Sequence, residues 1–169
     1  MESGADKEGR ELYKRALAAM ERYSSRRECC RADVERYLSK YNLSVDERAK
    51  IIEELTRTNF LDEMRYALAF VRDKSKFNGW GEVKLLWELR KRGISADIIA
   101  KALEELPQSQ QIDRLRAILQ RKLSSLSKIE ERQKVKAKLI RLALSKGYSR
   151  DLAYRVVKEI MGNFDLNKE

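Results

Sequence analysis

The sequence predicts an all-α protein: an elongated, curved tandem array of three three-helix, helix-turn-helix-like units. Three observations carry that expectation. Ala, Leu, Arg, Lys and Glu dominate, while the 169 residues hold one proline and seven glycines, so strong helix formers meet few interruptions. Segments 33–55, 84–106 and 138–160 align without gaps at spacings of 51 and then 54 residues, a period that fits a repeated supersecondary unit. At the centre of each segment sits Asn42, Gly93 or Gly147, then an apolar residue, then a serine.

In the first unit, a helix over 8–23 follows from Leu12, Ala16 and Ala19, and the next helix from Val34 and Leu38 at a spacing of four. Asn42 is expected to close that helix with positive φ. Leu43 follows, and Ser44 starts the third helix, with Glu47 three residues later completing a capping box. Ile52 and Leu55 give that helix its apolar stripe.

The second unit starts at Asp62, an N-cap, with Leu61 placed to staple onto Tyr66. Its first helix is expected over 62–74, carrying Ala67, Phe70 and Val71, with a loop over 75–81. Leu85/Leu89, Gly93, Ile94, Ser95 and Leu103/Leu106 then repeat the hairpin pattern. Pro107 separates the second unit from the third. There, Ile112, Leu115 and Leu119 predict a helix over 109–123, a Ser-rich loop follows at 124–127, and Leu139/Ala143, Gly147, Tyr148, Ser149 and Val157/Ile160 complete the set. Gly93 and Gly147, like Asn42, are expected at positive φ. The units are read as 1–59 with an N-terminal extension, 60–107 and 108–162, with a tail over 163–169.

The formal charge is +10, which favours polyanionic partners. Its distribution is uneven. Residues 1–59 carry 13 Lys/Arg against 12 Asp/Glu and residues 60–107 carry 9 against 8, whereas residues 108–162 carry 14 against 5. Lys134, Lys138 and Arg141 recur at four and three, on one face beside the apolar Val135, Leu139 and Leu142. With Lys128 and Arg132 they form a candidate phosphate track, weighed against the plainer role of a solvated face. Arg90, Lys91 and Arg92 precede Gly93, where the helix dipole favours cations, so a structural role competes with a binding one. Trp87, beside Leu86, is expected in the core, and Trp80, between two glycines, is either a loop anchor or an exposed contact.

Catalysis finds no support in these residues. There is no histidine to work near neutral pH and no glycine-rich phosphate loop ending in Lys-Ser or Lys-Thr. Asp62/Glu63, Glu104/Glu105 and Glu130/Glu131 are adjacent pairs, which diverge by about 100° on a helix and so make poor metal sites. No catalytic residue, cofactor or metal is expected. Cys29 and Cys30 are neighbours and cannot staple distant segments, which fits a reducing cytoplasm. No apolar run reaches the length of a membrane span and the amino terminus lacks a signal peptide's apolar segment, so a soluble, cytoplasmic monomer is expected. A stand-alone DNA-binding or transcription-regulating helix-turn-helix protein would account for single hairpins. Three copies in tandem suit a long face laid on a long partner better.

The second unit also carries a specific pattern: Phe60-Leu61-Asp62-Glu63-x-Arg65-Tyr66-Ala67-x-x-Phe70-Val71, then Gly79-Trp80-Gly81, then Glu88-Leu89-Arg90-Lys91-Arg92-Gly93-Ile94. In this the chain resembles the RecX family over about residues 10–162. Two departures stand out: Glu63 occupies a place where the family usually has aspartate, and Cys30 lies near a serine cap, leaving the start of that helix open. The resemblance implies a non-catalytic regulator that binds in the groove of the RecA filament, inhibits strand exchange and ATP hydrolysis, and can contact single- or double-stranded DNA, with a place in DNA repair, recombination and the SOS response. On that footing Arg65, Arg90, Lys91 and Arg92 are candidate filament-binding residues.

Overall fold

A computed structural model of the chain describes residues 4–126 and 131–166, with side chains described over 7–126 and 131–162. Among the described residues there are nine helices and no strand: α1 (Gly4–Ser24), α2 (Arg31–Leu38), α3 (Val45–Arg57), α4 (Glu63–Asn78), α5 (Glu82–Lys91), α6 (Ala96–Glu104), α7 (Gln108–Ser124), α8 (Arg132–Ser145) and α9 (Arg150–Leu166). Extensive helix-on-helix packing stays within α1–α3, within α4–α6 and within α7–α9. Each trio has its own core. Ala16, Met20, Val34, Leu38, Ile51 and Leu55 fill the first; Ala67, Val71, Leu85, Leu89, Ile99 and Ala102 the second; Leu115, Leu119, Leu139, Ala143, Val156 and Val157 the third. Burying each such Leu, Ile or Val contributes about 1.5–3 kcal/mol. The accessible surface is 11485 Å² for 19.8 kDa, against about 8,600 Å² for a compact monomer of that mass.

Helix ends follow the chemistry of their residues. Ser44, Ser95 and Ser149 hydroxyls accept the backbone N–H of Glu47, Ile98 and Leu152 at 3.2, 3.4 and 3.3 Å. The Glu47 carboxylate accepts the Ser44 N–H at 2.7 Å, which closes the capping box and holds its own pKa below the usual carboxylate range. Asp62 accepts the Arg65 N–H at 2.9 Å. Helix α2 starts at Arg31 in spite of the cysteine before it. The Asp33 carboxylate accepts both the Cys30 N–H at 3.3 Å and the Cys30 thiol at 3.2 Å.

Gly93 and Gly147 have φ of +77° and +85°. In both, the next residue donates back five positions, Ile94 to Leu89 and Tyr148 to Ala143, each at 3.2 Å, as a left-handed helix terminus requires. Asn42 departs from the expectation. It has no positive φ, because α2 already ends at Leu38 and the Tyr41 N–H closes onto the Leu38 carbonyl at 3.0 Å. The left-handed position falls instead at Asn59, φ +59°, after α3. There the Leu61 N–H returns to the Leu55 carbonyl at 3.0 Å and draws Leu61 into the first core, while Tyr66 lies in the second. Leu61 and Tyr66, expected to staple the start of α4, thus belong to different cores.

Two further expectations are corrected. The loop expected over 75–81 is mostly helix: α4 continues to Asn78 and stops at left-handed Gly79, φ +65°. Trp87 is not core but 59% exposed. Helix α5 buries Leu85 and Leu89, and a residue two positions from each points about 200° away. Trp80 is the anchor of this region. Its ring meets Phe70 edge-on at 6.1 Å, with Lys84 at 4.6 Å and Lys74 at 5.4 Å from its centroid.

Candidate functional site

Two surfaces matter, and the joints between helix trios decide how they are presented. At the first joint, the Arg65 guanidinium donates to the Glu28 carboxylate at 2.7 Å and to the Asn59 carbonyl at 3.0 Å. Cys30, from the first trio, packs in the second core. At the second joint, backbone meets backbone: the Gly81 N–H donates to the Lys146 carbonyl at 2.8 Å and the Val83 N–H to the Gly147 carbonyl at 3.0 Å. Lys146 Nζ donates to the Asn78 carbonyl at 3.0 Å, and the Arg114 guanidinium donates to the buried Ser75 hydroxyl. The approach is close enough that a Cβ on Gly81 would stand 2.7 Å from the Tyr148 nitrogen, and one on Gly147 would stand 2.6 Å from the Lys84 nitrogen. Glycine at both positions is a packing requirement. Sequence reasoning assigned Gly147 only to a helix end and gave Gly81 no partner, since the second glycine lies 66 residues away in the chain.

The basic surface lies on α8. This helix buries Val135, Leu139 and Ala143 and leaves Arg132, Lys134, Lys138 and Arg141 exposed. Lys134 pairs with Glu131 at 3.3 Å with both side chains mostly exposed, an interaction worth little and easily exchanged for a phosphate. Arg132 and Lys138 also have interaction partners within the chain. Lys136 is exposed on the same helix and was missed, because it falls outside the four-and-three spacing of the others. Lys128 lies outside the described residues.

The candidates in the second trio divide. Arg90 is exposed in the last turn of α5, 5.9 Å from the Trp87 ring centroid, and Lys91 is exposed with only a 3.7 Å pairing to Glu88. Arg92 is half-buried: it donates to the Glu88 carbonyl at 2.6 Å and carboxylate at 2.8 Å, and lies 4.8 Å from the Phe70 ring centroid. That hydrogen bond from Arg92 holds the Glu88 carboxyl below its ordinary range. Arg65 and Arg92 thus brace the fold, while Arg90 and Lys91 face outward. Among the described residues no three His, Cys, Asp or Glu side chains gather as a metal site would require, and no helix is long and apolar enough to cross a membrane. Cys29 and Cys30 are free and buried, and burial pushes both thiols up.

Comparison with known proteins matches two family models: RecX, second three-helix domain, over residues 62–103, and RecX, third three-helix domain, over residues 109–157. A Regulatory protein RecX of Clostridium botulinum (strain Eklund 17B / Type B) is 38% identical over 122 residues, covering 72% of this chain and 56% of that protein. One from Bacillus cytotoxicus is 28% identical over 162 residues, covering 94% of this chain and 58% of that protein. The matched region thus spans less than two thirds of these relatives' length. A crystal structure of RecX from Lactobacillus salivarius superposes with a TM-score of 0.77 at 22% identity, covering 88% of this chain and 96% of the other. A second crystal structure of regulatory protein RecX gives a TM-score of 0.78 at 19% identity, covering 92% and 75%.

Proposed function

Since the chain belongs to the RecX family, we propose that it is a non-catalytic cytoplasmic regulator that binds the RecA–DNA filament and restrains recombinase and ATPase activity in DNA repair and recombination. The observation that carries this reading is the separation of charge from shape. The α8 surface, in a segment with 14 Lys/Arg against 5 Asp/Glu, suits a sequence-independent phosphate contact. The second trio is nearly neutral, with two of its four candidate cations spent on internal bonds, so it suits a protein surface rather than a polyanion. A row of three small cores offers a long face, as a filament partner needs.

Co-sedimentation with RecA filaments assembled on single-stranded DNA, with the bare DNA as control, tests the reading across a salt series. A filament regulator retains filament binding at salt that strips it from bare DNA. Loss of both signals at the same salt supports a stand-alone DNA binder instead.

A further inference from the structure

The misplaced tryptophan draws attention to the outer side of α5. Trp87 at 59% exposure and Val83 at 43% are two of the few large apolar side chains left in solvent, and their spacing of four puts them on one face. Beside them a cleft of about 420 Å³ runs between α5 and α6, floored by Leu86, Ile99 and Leu103. Its rim carries Glu82 and Glu104 on the two helices, and Arg90. Arg90 makes no ion pair among the described residues; its recorded contact is the Trp87 ring.

We infer that this α5–α6 groove, together with the exposed Trp87 on the adjoining face of α5, is the seat of an amphipathic segment of a partner protein that inserts an aliphatic anchor and presents a basic group to Glu82 and Glu104 and a carboxylate to Arg90. This deepens the filament reading and rests on it: the segment belongs to the recombinase subunit. Charge decides between occupants. Two carboxylates on the rim repel a phosphodiester backbone, and an aliphatic floor offers a nucleotide no hydrogen bonds. The same floor, with Arg90 on its rim and the exposed Trp87 on the adjoining face of α5, has the composition of a protein–protein anchor site. The two surfaces then divide the filament between them, α8 facing nucleic acid and the groove facing protein.

The experiment compares wild type with Trp87→Ala, Trp87→Phe and Ala100→Arg, the last replacing an exposed alanine on the cleft's lining. Both positions lie at the surface, and circular dichroism melting checks that the folds match. Affinity is measured for RecA filaments on single-stranded DNA and for bare single-stranded DNA. Trp87→Ala and Ala100→Arg should each weaken filament binding roughly ten-fold or more, with bare-DNA affinity unchanged or, for Ala100→Arg, slightly tighter, and Trp87→Phe should keep most of the binding. Unaltered filament affinity in both disruptive variants overturns the groove assignment while leaving the filament reading standing. A wild-type chain that fails to bind filaments overturns both. Weaker bare-DNA binding by Trp87→Ala together with markedly tighter binding by Ala100→Arg identifies the groove as a nucleic-acid site and overturns the proposal.

Discussion

Gly147→Ala and Gly93→Ala impose the same chemical change in two settings that differ in one respect. Both glycines end a helix at positive φ, +85° and +77°, so each alanine variant carries about 1–2 kcal/mol of left-handed backbone strain. A Cβ at Gly93 meets nothing within 4 Å, and the cost should end there. A Cβ at Gly147 would stand 2.6 Å from the Lys84 nitrogen and 2.9 Å from its Cα, so α5 must withdraw. Withdrawal breaks the Gly81–Lys146 and Val83–Gly147 hydrogen bonds, at about 1 kcal/mol each. The expected destabilisation is about 3–4 kcal/mol for Gly147→Ala, read by urea denaturation, against about half that for Gly93→Ala. Amide exchange locates the difference: the Gly81 and Val83 amides should lose protection in Gly147→Ala alone. Equal destabilisation, or unchanged protection at those two amides, would refute a glycine-to-glycine joint.

Other perturbations address separate parts of the account. Replacing Lys134, Lys138 and Arg141 together by Ala should weaken single-stranded DNA binding about equally for all sequences, and flatten the salt dependence by about one unit of slope per lost phosphate contact; titrations over a salt series measure both. Leu89→Ala, at a fully buried position, should cost about 2–5 kcal/mol in thermal or chemical melts, whereas Val45→Ala, at 78% exposure, should stay within about 0.5 kcal/mol. Ser44→Ala should cost about 1 kcal/mol at neutral pH through the lost cap. Because the capping hydrogen bonds lower the Glu47 pKa in the folded chain, its contribution is present above the unfolded carboxylate range and lost as pH falls through the folded value. The gap between wild type and Ser44→Ala should accordingly narrow in acid.

Much of the fold is legible from local chemistry. The serine caps and the two glycine helix ends each rest on interactions within one helix or turn, and these fall where expected; the apolar pairs Val34/Leu38, Leu85/Leu89 and Leu139/Ala143 are buried as their spacing of four predicts, whereas α6 ends at Glu104, before Leu106. The misses involve choices that local pattern leaves open. Asn42 tolerates the left-handed conformation without requiring it, and a short α2 closes earlier through Tyr41. Lys-Phe-Asn before Gly79 carries no stop signal, so α4 runs on. Trp87 looks apolar enough for the core, yet the register set by Leu85 and Leu89 turns it outward. The internal bonds of Arg65 and Arg92 leave no trace in the sequence, because Glu28 is far away in the chain and the packing of Arg92 against Phe70 is tertiary. The family pattern in the second trio pointed to the right relatives through residues that are largely structural: Asp62 caps, Gly79 and Gly81 make the turn and joint, Leu89 packs α5 into the second core, and Gly93 takes the left-handed turn after it.

The central claim is that this chain acts on a recombinase filament rather than on DNA alone, and suppression of RecA ATPase tests it most directly. The measurement is made at the salt concentration where the chain's own binding to bare single-stranded DNA has vanished but filaments persist. The account predicts that ATPase suppression survives there in wild type and in the Lys134, Lys138 and Arg141 triple alanine variant. Suppression that disappears in step with bare-DNA binding would contradict it.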